Sequence, residues 1–277
     1  MITAGRTGLA IIGGGKIGEA LLAGLVRQHG DGTVAGGELL VVERSPARAA
    51  ELAARHGVAA ADLAGAAAGA RVLLLAVKPQ DIDALLALLA PHVTPEHLVV
   101  SVAAGVPTSR MEAVLPSGTP VVRVMPNTPA LVEAGMSVIS AGAHASDEHL
   151  AEAEALLAPV GEVRRLPESQ QDAVTALSGS GPAYFFFLVE AMIDAGILLG
   201  LPRSVAADLI VQTAYGSAVM LRESGEHPVQ LREAVTSPGG TTIAAIRELE
   251  RHGVRAALIA AIEAAHDRSV ELGRAGN

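Results

Sequence analysis

The chain has 277 residues, half of them hydrophobic, a formal charge of −9 and no cysteine. That is enough apolar material for two domains with a sizeable core, and it excludes a disulfide framework, a thiol nucleophile and a thiolate metal site. Without a basic run to neutralise phosphates, nucleic acid is not an expected partner.

Met1–Gly8 carries one charged side chain and no apolar core, so it reads as a short tail and not as a secretory signal. Leu9–Ile12 is an apolar run suited to a strand buried on both faces. Gly13, Gly15 and Gly18 follow in G-x-G-x-x-G spacing and open an amphipathic helix that runs to about His29. In this dinucleotide-binding pattern Gly13 allows the tight turn, Gly15 lets a pyrophosphate approach the backbone, and Gly18 lets helix and strand lie close. The anion would rest on the free N–H groups of the helix start, where Lys16 and Ile17 stand.

After a polar loop, Gly30–Gly37, a second strand is expected at Glu38–Glu43, then a helix capped by Ser45 with Pro46 at its first position. Glu43 stands where an acid binds the ribose 2′-hydroxyl of NAD, whereas Arg44, helped by Ser45, would pair with the 2′-phosphate of NADP. Both readings stay open. Val58–Ala60 is a third strand, Asp62–Ala68 a short helix and Arg71–Val77 a fourth strand, an alternation that gives a parallel sheet. Helix Gln80–Leu89, strand Leu98–Val102, helix Thr108–Val114 and strand Pro120–Met125 continue it. Strands at Met136–Ser140 and Glu162–Arg165, around a helix at Ser146–Leu157, bring the sheet to about eight strands.

Ala76-Val77-Lys78-Pro79-Gln80 and Met125-Pro126-Asn127-Thr128-Pro129-Ala130 both follow strands, at the carboxyl edge where open parallel sheets bind ligands. Lys78 would reach a phosphate or ribose, and Asn127 offers both a donor and an acceptor.

From Glu168 onward no strand is expected, and helices begin near Glu168, Pro182, Pro202, Pro228, Thr241 and Val254. The domains are therefore 1–167 and 168–277: an α/β, Rossmann-like dinucleotide-binding domain followed by an all-α domain. Ser178–Tyr184 leads into Phe185–Val189, read as a capped core helix whose all-round apolar surface needs covering, which a partner subunit would supply. Tyr184–Gly200 is the most apolar window, yet it holds Glu190 and Asp194, so a soluble helix is expected and not a membrane span. A cytoplasmic protein follows. In Thr236-Ser237-Pro238-Gly239-Gly240-Thr241-Thr242 a Gly-rich, hydroxyl-bearing turn precedes a helix and offers N–H donors to a small carboxylate; an ordinary capped helix is the other reading. Lys16 and Lys78 are the only lysines, so the helical domain has no Lys acid or base, which disfavours the β-hydroxy-acid dehydrogenases. No H-E-x-x-H or comparable cluster suggests a metal.

Together Ile12–Leu21, Ala76–Gln80, Arg123–Pro129, Asp172–Tyr184 and Val235–Thr242 resemble the pyrroline-5-carboxylate reductases over nearly the whole chain. The last two stretches are the specific ones. The resemblance implies hydride transfer from NADPH, or alternatively NADH, to the imine carbon of 1-pyrroline-5-carboxylate, giving L-proline. Residue by residue, it implies that Gly13–Gly18 hold the pyrophosphate and that Asn127 and Lys78 serve the nicotinamide and ribose end. Ser237, Pro238, Gly239, Gly240 and Thr241 would receive the substrate carboxylate, with the Thr242 hydroxyl facing the ring nitrogen. It also implies a homodimer interlocked through the helical domain, or a higher assembly built from it. Two positions depart from the family: Glu43 replaces a small or amide residue, and Gly18 replaces a common Ala, a change expected to be harmless. A reductase of another small cyclic imine and a non-catalytic dinucleotide sensor are the competing readings.

Overall fold

In a computed structural model, residues 8–29, 33–34 and 37–274 are described. The expected N-terminal tail, apart from Gly8, and most of the expected loop Gly30–Gly37 lie outside them. Strand β1 (Leu9–Ile12) is buried at every residue and pairs in parallel, one on each edge, with β3 (Gly37–Val42) and β5 (Val72–Leu75). Leu9 and Ile11 face one core, packed with Leu21, Leu22 and Leu25 of α1 (Lys16–His29), Leu52 of α2 (Pro46–His56) and Leu156 of α6 (Asp147–Leu157). Ala10 and Ile12 face the other, with Ala66 of α3 (Leu63–Gly69), Leu86 of α4 (Ile82–Leu89) and Met111 of α5 (Thr108–Glu112). Helices thus cover both faces of the sheet, and that is why β1, β5 and β6 (Leu98–Ser101) are buried at every residue.

The strand order is β2-β3-β1-β5-β6-β7-β8-β9, with β4 (Ala59–Ala60) pairing β3 alongside. Among the described residues the sheet has nine strands, the addition being β2 (Thr33–Val34), antiparallel to β3. It is not wholly parallel: β8 (Gly135–Ala141) runs antiparallel to β7 (Val121–Met125), and β9 (Gly161–Arg165) then pairs parallel to β8. The five-residue turn Thr128–Val132 between β7 and β8 is too short for a crossover helix, so the chain doubles back.

The caps sit where the residue types place them. Ser45 Oγ accepts the Arg48 N–H, Pro46 begins α2 and Gly57 ends it in the left-handed conformation at φ 68°. Asp62 Oδ1 accepts the Gly65 N–H and starts α3.

The chain divides into two compact units, residues 1–180 with 265–277 and residues 181–264. The division thus falls at Gly181, while the change from strands to helices comes at Pro167. Residues 168–180 pack on the sheet because buried Gln171 donates to the Val138 carbonyl and Ser140 Oγ, at 3.2 and 2.8 Å. Glu168, in the same stretch, accepts from the Thr108 N–H, the Thr108 hydroxyl and buried Arg123. This run is α7 (Gln171–Val174) followed by a π-helical turn, Thr175–Gly179.

The second unit holds α8 (Gly181–Leu198), α9 (Arg203–Glu223), α10 (Pro228–Ala234), α11 (Thr241–Arg251) and the start of α12 (Val254–Arg274). His227 caps α10, a structural role. The expectation that Phe185–Val189 forms a buried core helix fails within one chain: Phe185, Phe186 and Phe187 are 68–71% exposed. In the single chain the helices of this unit leave that side of α8 uncovered.

Candidate functional site

The carboxyl ends of β1, β3 and β5 meet at the glycine turn. Gly13 extends the ladder by donating to the Val42 carbonyl at 2.8 Å, while Ala76 donates to the Ile12 carbonyl at 2.8 Å. Its φ of 114° suits glycine alone, and a Cβ there would stand 2.5 Å from the Ala76 carbonyl oxygen. Gly15 differs. It is exposed, a Cβ would find nothing within 4 Å, and its carbonyl accepts the first helical N–H, from Glu19 at 2.8 Å. The N–H groups of Lys16, Ile17 and Gly18 therefore occupy the first turn of α1, where a helix has donors without carbonyl partners of its own. An anion fits the open face of this turn.

Gly18 fits the turn as it stands, and it is the reverse change that would cost. A Cβ there would collide with the Gly13 carbonyl oxygen and come within 3.1 Å of the Ala76 Cβ. The turn in this chain is closed around a hydrogen atom. Gly18→Ala is accordingly expected to weaken dinucleotide binding about tenfold and to lower the unfolding midpoint, since backbone must move to admit the methyl. Titration and thermal unfolding of that variant check it, and a wild-type affinity would show that the turn relaxes freely.

Gly14 is held from both sides. Its N–H donates to Glu43 Oε2 at 2.7 Å, and its carbonyl accepts from Arg48 Nε and Nη2 at 3.3 and 3.2 Å. Glu43 Oε1 also accepts the Ser45 N–H at 3.1 Å. Arg44 and Ser45 are exposed beside it. Arg48 pairs with Glu19 at 2.5 Å and Glu51 at 2.8 Å, and Arg55 pairs with Glu19 at 2.6 Å, so that α1 and α2 are tied behind the turn. Burial alone would raise the Glu19 carboxyl, but hydrogen bonds from Arg48, Arg55 and His56 outweigh it and hold Glu19 below its ordinary value of 4.5. A carboxyl depressed on folding stabilises fully above its unfolded value and loses that contribution as pH falls through the folded one. Denaturant midpoints near neutrality and below 4.5 are expected to separate more for the unaltered chain than for Glu19→Gln; equal separations would remove this network from acid stability.

Ala76 and Val77 are half-buried at the end of β5, and Lys78 is exposed at the start of the turn Pro79–Asp81. Asn127, at the end of β7, is committed within the chain. Its Oδ1 accepts the Met136 N–H at 2.9 Å and its Nδ2 donates to the Ser178 carbonyl at 3.2 Å. This joins β8 and the π-helical turn to the carboxyl edge, so Asn127 shapes the edge whatever else it touches.

Residues outside the predicted site set complete this side. A cavity of about 620 Å³ opens at the carboxyl ends of β5 and β6, lined among others by Gln80, Ala104, Val106, Thr175, Ser180 and Ser269. The Ser269 hydroxyl donates to Asp172 at 2.7 Å, which fixes the last turns of α12 against α7, just ahead of the π-helical turn. A π-helical turn is itself a frequent mark of function.

The second unit carries the other predicted set. Gly239 is left-handed at φ 68°, Gly240 donates to the Ser237 carbonyl at 3.1 Å, and the Thr236 hydroxyl is engaged with the Arg232 carbonyl at 2.6 Å. No side chain caps α11, so its first N–H groups stay open to an anion, with Thr242 half-buried in that first turn. The capped-helix alternative is therefore not what the loop forms. Among the described residues there is no cluster fit for a metal.

The chain matches two family models, pyrroline-5-carboxylate reductase dimerisation over residues 168–272 and NADP oxidoreductase coenzyme F420-dependent over residues 8–105. It is 47% identical to a pyrroline-5-carboxylate reductase of Mycobacterium tuberculosis over 97% of both chains. A solved structure of a pyrroline-5-carboxylate reductase from Coxiella burnetii superposes with a TM-score of 0.89 at 36% identity, covering 96% of this chain and 98% of that one. The NADP-bound pyrroline carboxylate reductase of Plasmodium falciparum gives 0.84 at 26% identity, over 97% and 99%.

Proposed function

From the premise that the chain belongs to the pyrroline-5-carboxylate reductase family, we propose how its own residues carry that reaction. The enzyme reduces 1-pyrroline-5-carboxylate to L-proline, the last step of proline biosynthesis, and acts on a CH–NH group as an oxidoreductase. The observation that carries the reading on this chain is the open turn at Gly15, an anion cradle at the carboxyl edge of the sheet.

NADPH, when bound, supplies the hydride that reduces the imine carbon. The first-turn N–H groups of α1 would hold its pyrophosphate beside Gly13, Gly15 and Gly18, and Arg44 with Ser45 would meet the 2′-phosphate. Ala76, Val77, Lys78 and Pro79 would border its nicotinamide and ribose end. Ser237–Thr241 and the open start of α11 bind the substrate carboxylate, and the Thr242 hydroxyl hydrogen-bonds the ring nitrogen. An iminium accepts hydride readily, so the protein orients reactants more than it pushes protons. Once the hydride is on carbon, the nitrogen is left as the neutral ring amine, which takes up a proton as prolinium.

Two copies pair through their helical units, which covers the exposed Phe185–Phe187 face. The two runs Glu168–Leu198 and Arg203–Glu223 are long and apolar enough to cross a membrane by length and composition. A dimer interface explains that apolarity better, since Asp194 pairs with Arg203 at 3.2 Å between them. We place the enzyme in the cytoplasm.

The test is the loss of reduced-nicotinamide absorbance with pyrroline-5-carboxylate, using NADPH and NADH separately, with proline identified as product. Faster turnover of a six-membered cyclic imine would move the substrate to another ring. Binding of cofactor without turnover of any imine would leave a dinucleotide sensor.

A further inference from the structure

Glu43 sits where an acid would select NADH, and the geometry points to a different task. Both of its carboxylate oxygens face inward to backbone: Oε2 accepts the Gly14 N–H at 2.7 Å and Oε1 the Ser45 N–H at 3.1 Å. Gly14 itself is buried, and a Cβ there would run into Leu52 Cδ1 and stand 3.1 Å from Glu43 Oε2. On its other side the Gly14 carbonyl takes two hydrogen bonds from Arg48, whose remaining partners are Glu19 and Glu51. Gly14 is thus caged by a carboxylate, a guanidinium and a leucine, one residue before the open Gly15.

We infer that Glu43 is a positioning residue for the glycine turn and not the acceptor of a ribose hydroxyl. It fixes the Gly13–Gly14 peptide, Arg48 fixes the next one, and together they aim the first N–H groups of α1 at the pyrophosphate. Discrimination between a 2′-hydroxyl and a 2′-phosphate then falls to exposed Arg44 and Ser45. This deepens the cofactor reading above and rests on it.

The two roles predict opposite patterns. An acid that accepts the ribose hydroxyl favours NADH and repels the 2′-phosphate, so neutralising it shifts the ratio of affinities. A residue that holds the turn acts on the pyrophosphate, which NADPH and NADH share. In Glu43→Gln the amide oxygen can still take one N–H, while its NH₂ faces the other donor. Dissociation constants for NADPH and NADH, read from nucleotide fluorescence, are expected to rise together about tenfold with their ratio kept within about threefold. Arg48→Met, which releases Gly14 from the other side, should give the same parallel loss and carries the test if Glu43→Gln does not fold. Arg44→Ala should weaken NADPH alone. A ratio moved more than tenfold toward NADPH by Glu43→Gln, or unchanged constants for both nucleotides, would overturn the inference. Binding of neither nucleotide to the unaltered protein would overturn the cofactor reading beneath it.

Discussion

Gly15→Asp is expected to leave the fold at least as stable as before and to weaken NADPH binding about a thousandfold. The first half follows from space and from helix chemistry. A Cβ at Gly15 meets nothing within 4 Å, and Gly15 is not among the residues of positive φ. It also occupies the position before α1, where aspartate is a favoured cap because its carboxylate accepts first-turn N–H groups. The second half follows from the same bonds. Those donors are the ones that would hold the pyrophosphate, so an internal carboxylate displaces the ligand and repels it. Two charge-assisted hydrogen bonds are worth about 3–6 kcal/mol together, and about 4 kcal/mol corresponds to the thousandfold loss. The same substitution at Gly13 would not separate binding from folding, since a Cβ there falls 2.5 Å from the Ala76 carbonyl oxygen. Thermal unfolding and a nucleotide titration on Gly15→Asp settle the matter. Undiminished affinity would take the pyrophosphate off this turn.

What could be read from the residues, and what could not, divides along the range of the interactions. Runs such as Leu9–Ile12 and Val72–Leu75 announce strands buried on both faces, and Ser45-Pro46 and Asp62 announce helix starts, because these signals are complete within a few neighbours. Strand β2 is two residues long, below any periodicity. The reversal between β7 and β8 depends on which strand the chain pairs with after a short turn, and local pattern is silent on that. The site divides in the same way. The glycine spacing names the turn, yet the crowding at Gly18 needs the positions of Gly13 and Ala76, and the engagement of Glu43 needs Gly14, 29 residues away. Ser269 meets Asp172 across 97 residues of sequence, so the wall that α12 adds to the cavity carries no local mark. The Phe185–Phe187 run fails as a core helix for a related reason: hydrophobicity says that a surface must be covered, not by which chain.

Thr242→Ala is expected to lower kcat 10- to 100-fold while the dissociation constant for NADPH stays within about threefold, the fall matching the roughly 1.5–3 kcal/mol of a hydrogen bond to a charged partner. Thr242 is half-buried in the first turn of α11, and its neighbour Thr236 has its hydroxyl engaged with the Arg232 carbonyl. A hydroxyl in this place can take the ring nitrogen without acting as a strong acid, which suits an iminium that gains its two electrons as hydride. On the proposed reading the bond would tighten orientation at the reacting carbon more than it would add affinity, because the carboxylate would be held by the preceding backbone, where Gly239 at φ 68° and the Gly240 N–H to Ser237 carbonyl bond of 3.1 Å set the turn. Loss should therefore appear in kcat before KM. Thr242→Ser keeps the hydroxyl and is expected to restore most of the rate, which a purely structural role for the threonine methyl would not allow. Steady-state kinetics of the two variants, with unfolding midpoints measured alongside, decide it: turnover that survives in Thr242→Ala, or that Thr242→Ser fails to rescue in a folded protein, would take the hydroxyl out of the reaction and leave the backbone of the loop as the only part of α11 that meets substrate.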